Sequence, residues 1–356
     1  MHSLKRFRAV CAVGVLLGMA VALSGCGSSS SAGPSPSPST AVASSPLDSS
    51  TPDATPSPTI PPKLFSDLSG FKVSGDFSGQ VTVEADWPLK ADQTMSEVLI
   101  KGTGEAITSS DYVELSYTGF NARTGTMFDS STYDGAPLYA PVNGLVPGVT
   151  NSLAGKHVGD RVLMAVTGPD GYDSQGGIAQ AGIQVGDTLV FVMDILSAQL
   201  PGPQGDAVAP KAGLPTVTTD SNNTPTVHIP AGFQAPGSLV VQPLITGTGP
   251  KVAATDAITA NYVEVNAATG AVLDTTYGTT NTPQTGVLDV MIPGWQQGLV
   301  GQTVGSRVML VVPPALAYPN GDQNATPTIP PGQTLVYIVD ILFTQPVSST
   351  DSGSQG

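Results

Sequence analysis

The chain has 356 residues, and 13 Lys and Arg residues against 27 Asp and Glu residues give it a formal net charge of −14. This acidic balance excludes a nucleic-acid binder built on a basic groove. Only 2 Cys and 3 His residues are present, too few for zinc fingers, disulfide frameworks or Cys-His nucleophiles. Because hydrophobic residues make up 40% beside 41 Gly and 32 Pro residues, we expect about two globular domains joined by disordered segments.

The amino terminus has the pattern of an export signal. Basic residues precede an apolar run over 9–23 that is too short to span a bilayer with polar flanks. The run ends in Leu23-Ser24-Gly25-Cys26, which resembles the lipobox of bacterial lipoproteins. This resemblance implies a signal peptide over 1–25, lipidation of Cys26 and an extracytoplasmic protein that is anchored to the cell membrane through that lipid alone. An ordinary export signal with an incidental Cys26 is the alternative.

Two segments lack the apolar residues that a core needs. Residues 26–62 are mostly Ser, Pro, Ala, Thr and Gly, and they cannot bury enough surface to offset the entropy of chain ordering. We therefore predict a disordered tether over 26–62, stiffened by its prolines. The polar residues 347–356 are predicted to form a disordered tail.

The rest of the chain contains a tandem repeat. Gly102-Thr103-Gly104 recurs as Gly247-Thr248-Gly249, Tyr117 recurs as Tyr262, and 188–196 aligns with 334–342. This pattern predicts a duplicated domain, with domain 1 over 63–200 and domain 2 over 224–346. The stretch 201–223 between them, rich in Pro, Gly and Thr, is predicted to be a linker.

Each copy has the periodicity of β-strands. Ile258, Ala260 and Tyr262 alternate with Thr259 and Asn261, which predicts half-buried antiparallel strands. Helical signal is confined to the short stretches 148–153 and 294–299. We expect the α+β class, with one curled antiparallel sheet wrapped around one short helix in each domain and a concave pocket where helix, strands and loops meet.

The second copy carries several motifs in a characteristic order. They are Gly247-Thr248-Gly249, Asn261-Tyr262, Leu273-Asp274, Met291-Ile292-Pro293-Gly294-Trp295, Val304-Gly305-Ser306-Arg307, Ala317-Tyr318 and Ile329-Pro330-Pro331-Gly332. Their order resembles the FKBP family of macrolide-binding peptidyl-prolyl cis-trans isomerases over nearly all of 239–344. The first copy resembles the same family over about 98–198.

The resemblance implies a proline pocket in domain 2, with Trp295 as its floor. Tyr318 and the backbone N–H of Ile329 would hold substrate carbonyl groups, and Asp274 would orient polar contacts at the rim without transferring protons. The implied catalytic residues are Tyr262, Asp274, Trp295 and Tyr318, and the implied substrate-binding residues are Leu273, Met291, Ile292, Ile329 and Tyr337. Taken one by one, the apolar and aromatic members are equally typical of a hydrophobic core.

Domain 1 departs from this pattern. It has Val149 where domain 2 has Trp295, and Gln184-Val185 where domain 2 has Pro330-Pro331. From these changes we expect a narrower or flatter floor, and either weak isomerase activity or peptide binding. The candidate pocket of domain 1 consists of Tyr117, Phe128, Asp129, Val146, Val149, Tyr172, Ile183 and Phe191.

The predicted function is isomerisation of X-Pro bonds, which assists the folding of exported proteins. Rotation about an imide bond needs no covalent catalyst, so we expect no cofactor and no metal. The expected partners are proline-containing peptides or exported unfolded proteins, with no nucleic acid, and the protein is expected to be a monomer. Non-catalytic peptide binding, as a chaperone or a surface scaffold on the same fold, and a purely structural spacer are the alternatives.

Overall fold

The structure is a computed structural model that describes residues 61–131, 136–278 and 282–347. The predicted signal peptide, Cys26, most of the predicted tether and almost all of the predicted tail lie outside the described residues. None of the helices within the described ranges is long and apolar enough to cross a membrane.

Strands dominate the described residues. The strands are β1 (Lys63–Phe65), β2 (Lys72–Ser74), β3 (Thr82–Glu84), β4 (Leu89–Ala91), β5 (Met95–Ile100), β6 (Tyr112–Asn121), β7 (Thr126–Ser130), β8 (Leu138–Pro141), β9 (Arg161–Val166), β10 (Leu189–Ala198), β11 (Asp206–Ala207), β12 (Thr216–Thr219), β13 (Pro225–His228), β14 (Val240–Thr246), β15 (Ala257–Asn266), β16 (Val272–Thr275), β17 (Gln284–Val287), β18 (Arg307–Val312) and β19 (Leu335–Gln345). The α-helices are α1 (Pro147–Leu153) and α2 (Pro293–Leu299), and 3₁₀ turns occupy Val142–Gly144, Gly168–Asp170, Asp173–Gln175, Ala179–Ala181, Leu288–Val290 and Pro314–Leu316.

Two larger sheets repeat one topology. In domain 1 the strand order is β5-β9-β10-β6-β7, with β8 also paired to β6. In domain 2 the order is β14-β18-β19-β15-β16, with β17 also paired to β15 and β11 added outside β14. All of these pairs are antiparallel. The predicted duplication is therefore present in three dimensions.

Each short helix packs on one strand of its sheet, α1 on β9 and α2 on β18. Both helices begin with proline, whose fixed φ suits the first helical position. Glycine allows α2 to approach β18 closely. A Cβ on Gly294 would lie 2.4 Å from Cγ1 of Val312, and one on Gly298 would lie 2.6 Å from Cδ2 of Leu310.

The central strands are buried on both faces. In β19, Leu335, Tyr337 and Val339 belong to the core that contains α2, whereas Val336 and Ile338 belong to a second core on the opposite face. The residues of β10 are divided between two cores in the same manner. The prediction of half-buried strands is wrong here, because an almost unbroken apolar strand is typical of a sheet covered on both faces.

The segment before each sheet covers its second face. We call this segment the outer layer: 63–91 in domain 1 and 206–233 in domain 2. In domain 2 the β12–β13 hairpin covers this face, with Val217 and Val227 packed on the second core, whereas β11 pairs with β14 and extends the edge of the sheet. The stretch 201–223, predicted to be a linker, thus contributes two strands to domain 2. Its few large apolar residues made that contribution hard to recognise from composition.

A buried ion pair joins each outer layer to its sheet. Arg307 donates hydrogen bonds of 2.6 and 2.7 Å to the carboxylate of Asp340. The same guanidinium donates to Oγ1 of Thr219 at 3.0 Å and to the backbone O of Asn223 at 2.7 Å, both at the tip of the β12–β13 hairpin. The corresponding groups in domain 1 are Arg161, Asp194 and the backbone carbonyls of Gly75 and Asp76.

The two domains touch near the carboxyl ends of β10 and β19. The backbone N–H of Leu200 donates to the carbonyl of Leu342 at 3.0 Å. The ring of Phe343 lies 6.3 Å from that of Tyr112 and 6.3 Å from that of Tyr139, centroid to centroid. A cavity of about 410 Å³ opens beside this contact.

Candidate functional site

An aromatic cluster lies between α2 and the sheet of domain 2. The indole of Trp295 meets the ring of Tyr262 edge to face at 5.5 Å and 84°, and the ring of Tyr337 at 5.7 Å and 90°. Only 4% of Trp295 is exposed, so its indole lies at the bottom of the cluster. Such edge-to-face contacts fix the ring orientations as well as burying apolar surface.

A hydrogen bond at the edge of this cluster connects two of the predicted residues. The hydroxyl of Tyr262, on β15, donates to Oδ2 of Asp274, on β16, at 2.7 Å. Burial and the Asp274 carboxylate raise the pKa of Tyr262 far above that of a free phenol. Asp274 is half-buried. The phenol therefore remains a neutral donor, and the carboxylate fixes its direction.

Tyr318 joins the cluster from the loop that follows β18. It is half-buried and packs against the core, near Tyr337. Burial, followed by the nearby Glu264 and Tyr318, raises the pKa of Tyr337 well above its ordinary value. The structure thus brings Trp295 together with three tyrosines, as the sequence predicted.

The remaining predicted wall residues also lie in this core. Leu273 on β16, Ile292 directly before α2, and Ile329 in the loop before β19 are buried, with 8%, 7% and 1% of their surface exposed. Met291 is half-buried and packs against them. The structure therefore places all five predicted substrate-binding residues around the same cluster, including Tyr337.

The backbone N–H of Ile329 does not have the predicted role. It donates to the carbonyl of Asp322 at 2.9 Å, and the N–H of Asp322 donates to the carbonyl of Ile329 at 2.8 Å. This pair of bonds closes the base of the enlarged loop after Tyr318, so the N–H of Ile329 is not available to a substrate. Sequence reasoning placed the donor there without knowledge of this local pairing.

A different backbone donor is available at the start of α2. No described residue accepts a hydrogen bond from the N–H of Ile292, the residue before the helix. Ile292 is the N-cap of α2, so its N–H precedes the helix and has no intrahelical partner. The sequence signal was the Ile292-Pro293-Gly294 motif itself.

The indole nitrogen also lacks a partner within the described part of the chain. Nε1 of Trp295 is buried and donates to no described acceptor. A buried polar group without a partner costs about 1–3 kcal/mol. Such a group needs a specific explanation, and a position next to bound ligand is one.

The equivalent region of domain 1 contains an open cavity of about 270 Å³. Seven of the eight residues predicted for this pocket line the cavity, and Ile183 is instead buried in the adjacent core. Val149 lines this cavity at the position where domain 2 has the indole of Trp295. Leu138, Leu145 and Met193, which sequence reasoning missed, complete the apolar walls.

The polar rim of domain 1 matches that of domain 2. The hydroxyl of Tyr117 donates to Oδ2 of Asp129, as Tyr262 does to Asp274. Burial, followed by the charge of Asp129, raises the pKa of Tyr172. The rings of Phe128 and Phe191 meet edge to face at 5.6 Å. Domain 1 therefore retains the Tyr–Asp hydrogen bond of the site but has Val149 at the floor in place of Trp295.

The described residues contain no group of three or more His, Cys, Asp or Glu side chains arranged to hold a metal ion. The two domains instead present aromatic and aliphatic walls with a small number of oriented donors. This arrangement suits noncovalent recognition of an apolar group attached to a polar backbone.

Comparison with known proteins agrees with this geometry. A family model described as FKBP-type peptidyl-prolyl cis-trans isomerase matches residues 103–196 and 249–342. The chain is 34% identical over 119 residues to a probable FK506-binding protein of Corynebacterium glutamicum, a match that covers 33% of this chain and 96% of that protein. It is 35% identical over 114 residues to the FKBP-type peptidyl-prolyl cis-trans isomerase FkpA of Escherichia coli, covering 32% of this chain and 40% of FkpA.

A solved structure of the three FKBP domains of wheat FKBP73 is similar to this chain. The match covers 71% of this chain and 95% of that chain, with 17% identity and a TM-score of 0.30. The two segments matched by the family model make up more than half of the chain and contain most strands of the two repeated sheets. The protein therefore belongs to the FKBP-type peptidyl-prolyl cis-trans isomerase family and carries two domains of that family in tandem.

Proposed function

We propose that domain 2 carries most of the isomerase activity and that it acts by removing water from the X-Pro imide. The observation that supports this most is the indole of Trp295, held edge-on between Tyr262 and Tyr337. A prolyl ring placed against this indole would be enclosed by apolar walls. Tyr318, Met291 and Asp274 are half-buried, so each keeps part of its surface accessible to solvent.

The energetic demand on such a site is modest. Rotation about the imide faces a barrier of about 18–20 kcal/mol, which arises from C–N resonance. Uncatalysed exchange takes roughly tens of seconds or longer, so a rate on the order of 10² per second requires about 10⁴-fold acceleration, or about 5.5 kcal/mol. The planar imide is more dipolar than the twisted state, so a dry apolar pocket disfavours the planar form relative to the transition state.

Two donors would add to this effect. The N–H of Ile292 and the hydroxyl of Tyr318 are suited to hold substrate carbonyl groups, while Asp274 orients Tyr262. Nε1 of Trp295 is a further donor that bound substrate could satisfy. Donors that are already oriented cost no reorganisation during bond rotation.

The test is a proline-limited refolding assay with the full chain. We expect catalytic amounts of the protein to accelerate the slow refolding phase and to leave the fast phase unchanged. If the protein binds unfolded chains firmly but leaves the slow phase unchanged, the non-catalytic module is the correct function.

Peptide binding is the second candidate function, and it applies to domain 1. The supporting observation is Val149, which is 2% exposed at the floor of a cavity of about 270 Å³. Without the indole, this floor cannot enclose a prolyl ring as closely as Trp295 would. Domain 1 is therefore a weak isomerase or a binding module.

We propose also that each sheet curls around its short helix, and that the protein is a monomer.

The substrates that we propose are unfolded exported proteins, and the site of action is the outer face of the cell membrane. Support comes from the export-signal pattern before Cys26 and from the Ser- and Pro-rich stretch that follows it. Cys26→Ser should transfer the protein from the membrane fraction to the soluble extracytoplasmic fraction. Retention of this variant in the membrane would contradict a lipid anchor at Cys26.

A further inference from the structure

The cavity of domain 1 is apolar at its base and polar only at its rim. Val149, Phe191 and Met193, exposed by 2%, 4% and 3%, are buried cavity residues that contribute no hydroxyl group. The rim carries the Tyr117–Asp129 hydrogen bond and Tyr172. A ligand group that enters this cavity must therefore be apolar at its end and attached to a polar chain.

Two of the substitutions between the repeats alter the residues at the position of Trp295 and of Tyr337. Val149 replaces Trp295, which removes the indole, and Phe191 replaces Tyr337, which removes a phenol hydroxyl group. Both changes remove atoms from the bottom of the pocket or make it less polar. The rim tyrosines and the aspartate are the same in both domains.

The size of the cavity indicates what it accepts. A cavity of about 150 Å³ lined by aliphatic and aromatic side chains is known to take up benzene. The cavity of domain 1 is about 270 Å³, which is sufficient for a phenyl ring and the start of the chain that carries it. A prolyl ring is shorter and would leave the base empty, which forfeits dispersion contacts with the lining residues.

The walls favour an aromatic group over an aliphatic one. Phe128 and Phe191 already meet edge to face at 5.6 Å, and both line the cavity. A third ring can extend this arrangement, and aromatic pairs contribute about 0.5–1.5 kcal/mol beyond the area they bury. At the rim, the carboxylate of Asp129 can accept a hydrogen bond from a backbone N–H of the ligand.

We propose that domain 1 binds phenylalanine side chains of extended polypeptides and selects them over proline. The inference rests on the proposed function in assigning peptide binding to domain 1, and it specifies the side chain recognised. The bound segment is separate from the X-Pro bond that domain 2 isomerises. One protein thereby combines a site for holding an unfolded chain with a site for isomerising it.

The test measures binding of two fluorescent peptides to the full chain. The peptides have the same unstructured Gly- and Ser-rich sequence and differ only in a central Phe or Pro. We expect the Phe peptide to bind at least about tenfold more tightly. A tenfold ratio of affinities corresponds to a difference of roughly 1.4 kcal/mol in binding free energy. Equal affinities, or tighter binding of the Pro peptide, would overturn the proposal.

Variants locate the binding site. Val149→Trp restores the indole of domain 2 and should weaken binding of the Phe peptide at least about tenfold. Val185→Trp is the matched control, because Val185 is 64% exposed and lies outside the cavity. It should bind the Phe peptide as the wild type does. Unchanged affinity in a folded Val149→Trp variant would overturn the assignment to domain 1.

A second variant covers the case in which Val149→Trp does not fold. Leu145 is half-buried in the cavity wall, and Leu145→Glu places a charge there with less disturbance of the core. It should abolish binding of the Phe peptide, and normal binding would contradict the proposal. Isomerase activity is measured on the same wild-type sample, so that loss of the proposed enzymatic function and loss of Phe selectivity are read separately.

Discussion

Trp295 and Val149 occupy the same position in two copies of one domain, and the chemistry of each pocket depends on that difference. In domain 2 the indole closes the floor and is held by Tyr262 and Tyr337. In domain 1 the smaller side chain leaves a cavity of about 270 Å³ beneath the same Tyr–Asp rim. We propose that this side chain decides whether the pocket encloses a prolyl ring or accepts a larger ring.

The phenols of domain 2 lead to a prediction about pH. Burial raises the pKa values of Tyr262 and Tyr337, with further contributions from Asp274 and Glu264 respectively. Both groups therefore stay neutral across roughly pH 6–9, since even a free phenol titrates only near 10. We expect kcat/KM to vary by less than about twofold over this range, because no proton transfer is required. A bell-shaped profile would contradict this mechanism.

The same shifts have a consequence for stability. A phenol whose pKa is raised by folding stabilises the native state fully below the unfolded value of about 10. That contribution is lost as the pH rises through the higher folded-state pKa. Alkaline unfolding of Tyr337→Phe should therefore be less steep in pH than that of the wild type.

The site residues show which features a sequence can predict. Trp295, Tyr262 and Asp274 belong to motifs in a fixed order, and the structure brings all three together. The prediction that the N–H of Ile329 holds a substrate carbonyl was wrong, because this N–H bonds to the carbonyl of Asp322 within the enlarged loop. Motif order carries information about side chains, whereas backbone pairing within an irregular loop depends on its conformation.

At the scale of elements, the outer layer is the feature that was not predicted from the sequence. The duplication, the antiparallel strands and the two short helices follow from the repeat and its periodicity, and the structure contains all three. The second core was not predicted, although the unbroken apolar run over 335–339 is typical of a doubly covered strand. The stretch 201–223 resembles a linker because it has few large apolar residues, of which Leu214 and Val217 pack on the second core.

The outer layer leads to a prediction about fragments. A fragment of residues 224–346 lacks β11 and β12, and it removes the contacts of Arg307 with Thr219 and Asn223. Partial loss of the partners of a buried charge, together with exposure of the second core, should cost about 3 kcal/mol or more. We expect its urea midpoint to be clearly below that of a fragment of residues 201–346. Equal midpoints would show that the outer layer contributes nothing to stability.

A matched pair of substitutions within the longer fragment isolates the role of the hairpin tip. Thr219→Val removes the acceptor for Arg307, whereas Thr216→Val alters an exposed residue of the same strand. Only Thr219→Val should lower the midpoint. A similar effect of both substitutions would indicate a change in strand propensity, not the loss of this hydrogen bond.

At the scale of the whole molecule, the chain holds two related pockets with different floors on domains that touch. The contact uses Phe343 at the end of β19 against Tyr112 and Tyr139, with a backbone hydrogen bond from Leu200. Duplication of one domain provides two copies of the Tyr–Asp rim, and the residue at the floor differs between the copies. We propose that this difference lets domain 1 hold an unfolded chain while domain 2 isomerises its prolines.

The most direct test of this account is the isomerase rate of the full chain with Trp295→Val, which gives domain 2 the floor residue of domain 1. The control is Trp87→Val, because Trp87 packs on Phe71 in the outer layer of domain 1. We predict that Trp295→Val lowers kcat/KM at least about tenfold, a loss of roughly 1.4 kcal/mol of transition-state stabilisation. Folded Trp87→Val protein should retain the wild-type rate. Wild-type activity in a folded Trp295→Val variant would contradict the central claim.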